Sequence, residues 1–171
     1  MVHKVIKYPN PILETPCEPV TEFDTPELHQ LVADMFETMY SHKGVGLAAP
    51  QIGVLQRLAV IDCSLGEDES KKIVIINPEF IRKTGKSREE EGCLCLPGFR
   101  EKVTRAESVV VRARDASGKE IELSGDGILA RAFQHEQDHL DGILFIKHTS
   151  ALKRDLIRRK IRKLVKAGEW S

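Results

Sequence analysis

The chain has 171 residues, of which 41% are hydrophobic and 30% are charged, and its 26 basic side chains balance 26 acidic ones. A chain of this length and composition is typical of one globular domain rather than of a disordered or fibrous protein. The net charge of zero argues against a protein whose whole surface binds nucleic acid, although it excludes no local basic patch.

The first predicted element is a helix that begins after Thr25. Thr25 is a good N-cap residue, and Pro26 occupies the first helical position. Apolar residues recur at helical spacing between residues 28 and 39, and we expect the helix to end before Gly44. From residue 56 to residue 125 the pattern changes to short strands separated by turns. The predicted strands are 58–61, 73–76, 109–111 and 121–123, and the predicted turns are Asn77-Pro78, Lys83-Thr84-Gly85 and Ser117-Gly118.

Two further helices are predicted in the last third of the chain. One begins at Asp126 or Gly127 and stops at Gly142, and the other covers residues 151–166. The pattern predicts an α+β fold, with antiparallel sheet segments around a central helix, an N-terminal helix and a C-terminal helix. We expect a single domain over residues 1–171 that includes the basic C-terminal helix. The apolar stripe of that helix is Leu152, Leu156, Ile157, Ile161, Leu164 and Val165.

The compartment is predicted from two features of the sequence. No apolar run reaches the roughly 18–20 residues of a membrane span, and the first nine residues lack a secretory signal core. We therefore expect a cytoplasmic protein. Because cytoplasmic thiols stay reduced, the cysteines are interpreted as core thiols, metal ligands or nucleophiles before disulfides. They are Cys17, Cys63, Cys93 and Cys95.

The strongest chemical signal is His135-Glu136-Gln137-Asp138-His139 in the central helix. Residues four apart share a helix face, so both imidazoles can bind one metal ion, with Glu136 within reach of a water there. The alternative is a solvated face that happens to carry two histidines. A catalytic zinc-type site usually has three protein ligands, so this interpretation requires one more.

Two other segments carry candidate groups. Residues 91–98 offer the thiols of Cys93 and Cys95 in a segment expected to be extended, and a thiolate with two imidazoles suits zinc or ferrous iron. Alone, this segment is typical of a buried strand with two small thiols. Residues 44–53 combine glycines and alanines with the amide of Gln51, and alone they are typical of a helix end and a tight loop. They lack the Lys-Ser/Thr ending of a phosphate-binding loop.

Together, in this order, the three segments resemble the peptide deformylase family, whose members remove the N-formyl group from nascent bacterial-type polypeptides. The family's signatures are a Gly-x-Gly-x-Ala-Ala-x-Gln loop, a Glu-Gly-Cys-Leu strand and a His-Glu-x-x-His helix. They stand here at 44–51, 91–94 and 135–139. The likeness in order, spacing and length covers essentially the whole chain.

The resemblance implies a hydrolase with one divalent metal ion, with Fe²⁺ as the native metal and Zn²⁺ or Ni²⁺ as alternatives. It implies that Glu136 is the general acid/base for attack of metal-activated hydroxide on the formyl carbon, which releases formate. Gln51 and the Leu94 N–H would stabilise the oxyanion. The implied metal ligands are Cys93, His135 and His139. The resemblance implies substrate contacts by the Val45 and Gly46 backbone and supporting roles for Glu91 and Arg100. We also expect Ile128 and Arg131 at the substrate-binding site.

Two residues depart from the family pattern. The family usually has serine where Cys95 stands; we expect Cys95 to pack in the core, and redox sensitivity beside the metal is the alternative. Arg131 stands where related sequences tend to have an apolar residue lining the pocket for the substrate's methionine side chain. We expect Arg131 either to border that pocket and adjust specificity or to extend outward at its rim.

Two other functions are compatible with part of the sequence pattern. A zinc endopeptidase shares the helix motif but needs a further downstream ligand, and the only later histidine is His148. A non-catalytic metal-binding or ribosome-associated module needs neither Glu136 nor Gln51.

The expected partners are N-formylmethionyl nascent peptides, with no membrane and no DNA. Residues 148–171 carry eight Lys/Arg and two acids, which indicates either ribosome contact through ribosomal RNA or a solvated amphipathic helix.

Overall fold

The computed structural model describes residues 1–170, which form three α-helices and seven β-strands. The helices are α1 (Pro26–Ser41), α2 (Gly127–Leu140) and α3 (Ala151–Lys166). The strands are β1 (Gly46–Ala48), β2 (Leu58–Ile61), β3 (Ile73–Thr84), β4 (Ser87–Gly92), β5 (Arg100–Arg105), β6 (Ser108–Arg114) and β7 (Glu120–Asp126). The α+β class expected from the sequence is confirmed.

The main sheet lies between two helices. Its five strands are antiparallel in the order β1-β2-β3-β6-β7, and β4 and β5 form a separate antiparallel hairpin. On β2, Ala59 and Ile61 share a hydrophobic cluster with Phe133 of α2, whereas Leu58 and Val60 share one with residues of α1. Alternate strand residues face opposite sides, so α1 covers one face of the sheet and α2 the other. The central helix is therefore α2, as expected.

The caps explain where the first two helices begin and end. The hydroxyl of Thr25 accepts a hydrogen bond from Leu28 N at 3.1 Å, which starts α1 at Pro26. Asp126 is the N-cap of α2, and Gly142, just beyond its end, has φ +75°. A Cβ at Gly142 would also lie 2.8 Å from the backbone of Glu14, so glycine is required there for two reasons.

The bounds of α3 agree with the prediction, but the predicted apolar stripe is wrong in part. Ile157 and Ile161 are buried, whereas Leu152 is 70% exposed, and Leu156 and Val165 are also exposed. The reason is that α3 packs on the body along one narrow line of residues four apart, rather than with a broad face. The two isoleucines contact a cluster built from the N-terminal segment, the β4–β5 hairpin and the turn before α3.

The strand predictions need two corrections. Asn77-Pro78 is a bulge inside β3 rather than a turn, because Asn77 adopts φ +51° and its side chain bonds both the N–H and the C=O of Val20. The short β1 and the hairpin of β4 and β5 were not predicted. The hairpin lacks apolar alternation because two of its inward positions hold charged residues, Glu91 and Arg105.

None of the helices described combines the length and the apolar character that crossing a membrane would require. The cytoplasmic location expected from the sequence stays a prediction.

Candidate active site

One thiol and two imidazoles meet where α2 faces the end of β4. His135 and His139 lie one turn apart on α2, and their ring centroids are 5.0 Å apart. Cys93 directly follows β4, and its Sγ lies 3.2 Å from Nε2 of His139. One ligand atom from each residue lies within 4.8 Å of the other two. The structure thus brings together the three residues that the sequence analysis nominated as ligands.

The chain after β4 is a turn rather than the extended segment expected. Leu96 N donates to Cys93 O at 3.0 Å, which reverses the chain, and Tyr8 N donates to Cys95 O at 2.9 Å. The turn places Cys93 at the lining of a cavity and Cys95 in the core, with 3.1 Å between their sulfurs. Core packing of Cys95 is confirmed. Among residues 1–170, the Leu94 N–H is paired with no acceptor.

A buried carboxylate orients His135. Glu91 accepts a hydrogen bond from Nδ1 of His135 at 2.8 Å, which leaves Nε2 as the nitrogen that faces Cys93. Arg105 donates to both Glu91 oxygens at 2.8 and 2.9 Å, and Arg131 donates to one at 2.6 Å. Burial alone would raise the pKa of Glu91, but Arg105 and His135 outweigh it and hold that pKa well below its usual range. Glu91 therefore stays ionised.

The surroundings favour the thiolate of Cys93. The hydrogen bond with Cys95 lowers the pKa of Cys93 well below its ordinary value, against the effect of burial, and the two imidazoles act in the same direction. The same hydrogen bond and burial raise the pKa of Cys95. A thiolate is the metal-binding form of cysteine. A donor set of one thiolate and two imidazole nitrogens fits zinc or ferrous iron.

Glu136 lies beside this cluster with an oxygen that has no protein partner. The residue is 4% exposed, and its Oε1 has no hydrogen-bond partner among the described residues. Burial raises the pKa of Glu136. A Cβ at Gly46 of β1 would lie 2.5 Å from Oε2, so only glycine lets the strand pass this close to the carboxylate. This arrangement suits a group that exchanges protons with a water at the cluster.

Gln51 reaches the cluster from a single helical turn at Ala49–Ile52 that follows β1. Its Oε1 accepts a hydrogen bond from Ala48 N at 2.9 Å, which fixes the amide orientation. Its Nε2 donates to Cys93 Sγ at 3.4 Å. The amide N–H therefore points at the cluster, where it can donate to an oxygen that develops negative charge.

A cavity of about 900 Å³ opens onto the cluster. Ile128 is 71% exposed and lies at the cavity mouth instead of in the core face of α2. Arg100 is also exposed and lies 3.8 Å from Glu90. The cavity lining includes every residue nominated for substrate binding, namely Val45, Gly46, Glu91, Arg100, Ile128 and Arg131.

Arg131 lines this cavity, and its side chain is largely buried rather than extended outward at the rim. Besides Glu91, Nη1 donates to Val103 O at 2.8 Å, and Nη2 donates to the backbone and hydroxyl oxygens of Ser87 at 3.0 and 2.9 Å. Arg131 thus ties α2 to both strands of the hairpin. Its expected effect on substrate specificity stays a prediction.

Arg105 is a buried residue of the site that was not predicted from the sequence. Its Nη1 donates to Asp138 at 2.6 Å, so it links the β4–β5 hairpin to α2 as well as holding Glu91. The available signal was the alternation in β5, which places Val103 and Arg105 on the same inward face. Asp138 also contacts His148 at 2.8 Å. His148 is therefore engaged away from the cluster and does not supply the extra ligand that a zinc endopeptidase would need.

Comparisons with known proteins agree with this geometry. A family model described as polypeptide deformylase matches residues 2–155. A peptide deformylase of Acidobacterium capsulatum is 59% identical over 170 residues, which covers 99% of each chain. One from Thermodesulfovibrio yellowstonii is 49% identical over 159 residues, 93% of this chain and 96% of the relative.

Solved structures show the same similarity. A peptide deformylase from Legionella pneumophila superimposes with a TM-score of 0.91 at 46% identity, over 98% of each chain. One from Plasmodium falciparum superimposes with a TM-score of 0.88 at 37% identity, over 96% of each chain.

Proposed function

The chain belongs to the polypeptide deformylase family, and we propose that it removes the formyl group from the N-terminal methionine of nascent polypeptides, releasing formate and a free α-amine. It is a metal-dependent hydrolase. The observation that carries the proposal is the convergence of Cys93, His135 and His139, with the Glu136 carboxylate and the Gln51 amide beside them.

The ligands of one divalent metal ion are Cys93, His135 and His139. Membership of the family supports Fe²⁺ as the native metal, and the donor set accommodates Zn²⁺ or Ni²⁺ as well. When bound, the metal supplies a Lewis acid that lowers the pKa of water at the site toward about 7. Glu91 keeps the Nε2 of His135 directed at the site by accepting from Nδ1.

Glu136 moves the proton. It accepts a proton from the attacking water and delivers it to the leaving amine nitrogen. The unpaired Oε1 supports this role, because a buried carboxylate oxygen without a protein partner is free to bond to water. The pKa raised by burial supports it as well, since the best general acid/base titrates near the working pH.

Gln51 and the Leu94 N–H stabilise the oxyanion that forms at the former formyl oxygen. Nε2 of Gln51 already points at the cluster, and the Leu94 N–H has no acceptor within residues 1–170. One such donor is typically worth about 2.7–4 kcal/mol in the transition state.

The extended substrate binds along β1. This strand is at the edge of the sheet, paired only with β2 among the described strands, and an edge strand can accept an added peptide strand. The Val45 carbonyl already accepts a hydrogen bond from Asp62 N at 2.8 Å, on the side of β1 that faces β2. Because successive residues of a strand direct their backbone N–H and C=O groups to opposite sides, those of Gly46 face the open edge of the sheet. Backbone pairing thus falls to Gly46, and Val45 contributes its side chain to the cavity.

Residues 1–171 act as one catalytic domain that includes α3. The burial of Ile157 and Ile161 in the same cluster as Cys95 and Leu96 supports this organisation. The eight basic residues after residue 147 support contact with ribosomal RNA, which would place the enzyme near emerging formylated chains.

The test is incubation of metal-replete protein with a formyl-Met peptide, followed by mass spectrometry and a formate assay. We expect loss of the formyl group and intact internal peptide bonds. Cleavage of internal bonds, in this peptide or in an acetylated one, would instead support an endopeptidase. No product from metal-replete protein would contradict the proposal.

A further inference from the structure

Cys93 and Cys95 form a pair of thiols that differ in access. Their Sγ atoms are 3.1 Å apart. Cys93 is partly exposed and lines the cavity, whereas Cys95 is 0% exposed. A small oxidant that enters the cavity can therefore react directly with Cys93. Cys95 can be oxidised only by reaction with an oxidised Cys93.

The backbone holds the two sulfurs together. The turn closed by Leu96 N and Cys93 O brings both side chains to the same side of the chain, and the bond from Tyr8 N to Cys95 O anchors the turn. Cys95 packs in a hydrophobic cluster with Leu96 and Phe145, which fixes its position. To reach the S–S bond length of about 2.05 Å, the sulfurs need to approach by only about 1 Å.

We propose that Cys93 and Cys95 form an intramolecular disulfide when a hydroperoxide enters the cavity, and that Cys95 thereby protects Cys93 from irreversible oxidation. The Cys93 thiolate attacks the terminal peroxide oxygen, the O–O bond breaks, and sulfenic acid forms, with hydroxide leaving from hydrogen peroxide or an alkoxide from an organic hydroperoxide. The Cys95 sulfur then attacks the Cys93 sulfur, the S–O bond breaks, and the hydroxyl leaves with the Cys95 proton as water. The pair loses two electrons and the peroxide gains them.

The consequence is a reversible loss of the metal, and this part rests on the proposed function, in which Cys93 is a metal ligand. A disulfide sulfur no longer serves as a thiolate ligand, so only His135 and His139 remain and metal affinity falls. A dithiol reductant returns two electrons and restores both thiols. Without Cys95, the sulfenic acid has no adjacent thiol, and a second peroxide molecule oxidises it to sulfinic acid, which such reductants do not reverse.

The experiment uses the protein loaded with Zn²⁺, because zinc has no redox chemistry of its own and any effect of peroxide then comes from the thiols. Wild type, Cys95→Ser, Cys95→Ala and the control Cys63→Ser are treated with hydrogen peroxide and then with a dithiol plus Zn²⁺. Cys63 is the exposed free thiol, so its variant controls for disulfides between molecules. Peptide mass spectrometry reads the oxidation state of Cys93, and a chromophoric chelator reads released zinc.

We expect wild type and Cys63→Ser to lose two hydrogens in the peptide that contains both thiols, release zinc and rebind it after reduction. We expect both Cys95 variants to gain oxygens on Cys93 and to fail to rebind zinc. Added oxygens on Cys93 in wild type, no oxidation at all, or equal recovery in the Cys95 variants would each overturn the proposal. These readouts are independent of formate release, so they separate failure of this inference from failure of the proposed function.

Discussion

At the scale of single residues, the Glu136 carboxyl is subject to opposing effects. Burial raises its pKa, while the adjacent His135 and His139 lower it, and burial prevails. The pKa of Glu136 therefore lies above the ordinary value of a glutamate, which is the direction that the proposed role in proton transfer requires. The proposed chemistry depends on this group more than on any other residue outside the ligand set.

Replacing Glu136 with glutamine removes proton transfer and keeps the size of the side chain. We expect Glu136→Gln to lower kcat by about 10²- to 10⁴-fold, the usual contribution of general acid–base catalysis. The metal content should match wild type, because Glu136 is not one of the proposed ligands. Steady-state formate release and metal analysis of the same sample provide the measurement. Unchanged kcat would remove Glu136 from the mechanism.

Gly46 is a second residue at which the geometry predicts the effect of a substitution on activity. A Cβ there would lie 2.5 Å from Glu136 Oε2, so Gly46→Ala must displace either the carboxylate or β1. A displacement of about 1 Å can cost about 10²-fold in rate, and we expect a loss of this order in kcat/KM.

Gly44→Ala is the matched control for this prediction. Its Cβ would lie 3.1 Å from the flexible end of Leu94, which can move aside. We expect Gly44→Ala to retain much more activity than Gly46→Ala. Equal activity in the two variants would contradict the proposed fit between β1 and the carboxylate.

At the scale of elements, the β4–β5 hairpin is joined to α2 by buried charges. Glu91 binds His135, Arg105 and Arg131, and Arg105 continues to Asp138. Removing one partner of a buried ion pair typically costs about 3–5 kcal/mol, because it leaves a charge uncompensated. Glu91 is therefore one of several polar links between the hairpin and α2, beside those of Arg131 and Arg105, and the same carboxylate orients His135, a proposed metal ligand.

We expect Glu91→Gln to lower the free energy of unfolding by an amount of this order. Metal affinity should fall by about 10- to 100-fold, the usual cost of losing the partner of a ligand histidine. Denaturant unfolding and competition with a chromophoric chelator measure the two effects. Glu90→Gln, at the exposed neighbouring position, is the control and should change neither. If Glu91→Gln behaved like this control, the network would have no such role.

The stabilisation by Glu91 should also depend on pH. In the fold its pKa is held well below the value of about 4.3 expected for the unfolded chain. A lowered pKa stabilises the fold fully above the unfolded value and loses this effect as pH falls below it. The difference in unfolding free energy between wild type and Glu91→Gln should therefore be constant near neutrality and shrink below about pH 4. A difference that grew with acidity would contradict the ionised state of Glu91.

The α3 helix presents exposed basic residues that can be altered without touching its buried line. We expect Arg159, Lys163 and Lys166 changed together to Gln to reduce co-sedimentation with ribosomes, because fewer phosphates are neutralised. Wild-type binding should weaken as salt rises. The control changes the exposed Lys71, Lys86 and Lys119 to Gln and should bind normally. Equal binding of both triple variants would exclude a role for α3 in ribosome contact.

These elements also show how far sequence reasoning reached. The bounds of α1 and α2 were predictable because Thr25 and Gly142 mark them locally. The β4–β5 hairpin was not, because Glu91 and Arg105 are polar and become an inward pair only once the two strands are in register. Likewise Cys93, His135 and His139 could be nominated from their motifs. The contact between Cys93 and Cys95 was anticipated only as an alternative to core packing and from an extended chain, whereas the structure forms it through a turn.

At the scale of the whole molecule, charge is unevenly distributed. Residues 148–171 carry a balance of +6, which leaves 18 basic and 24 acidic residues in the rest of the chain. The basic terminal segment is therefore the part of the chain with the strongest net attraction to nucleic acid. The residues that line the cavity and form the Cys93, His135 and His139 cluster all precede residue 148, outside this basic segment.

The measurement that tests the central claim most directly is formate release from a formyl-Met peptide by protein purified without oxygen, with metal content determined on the same sample. We predict about one divalent metal ion per chain and release of formate that scales with metal content, as expected for a single site with three protein ligands. Glu136→Ala should keep the metal and release almost no formate. Metal-replete wild-type protein that releases no formate would contradict the account.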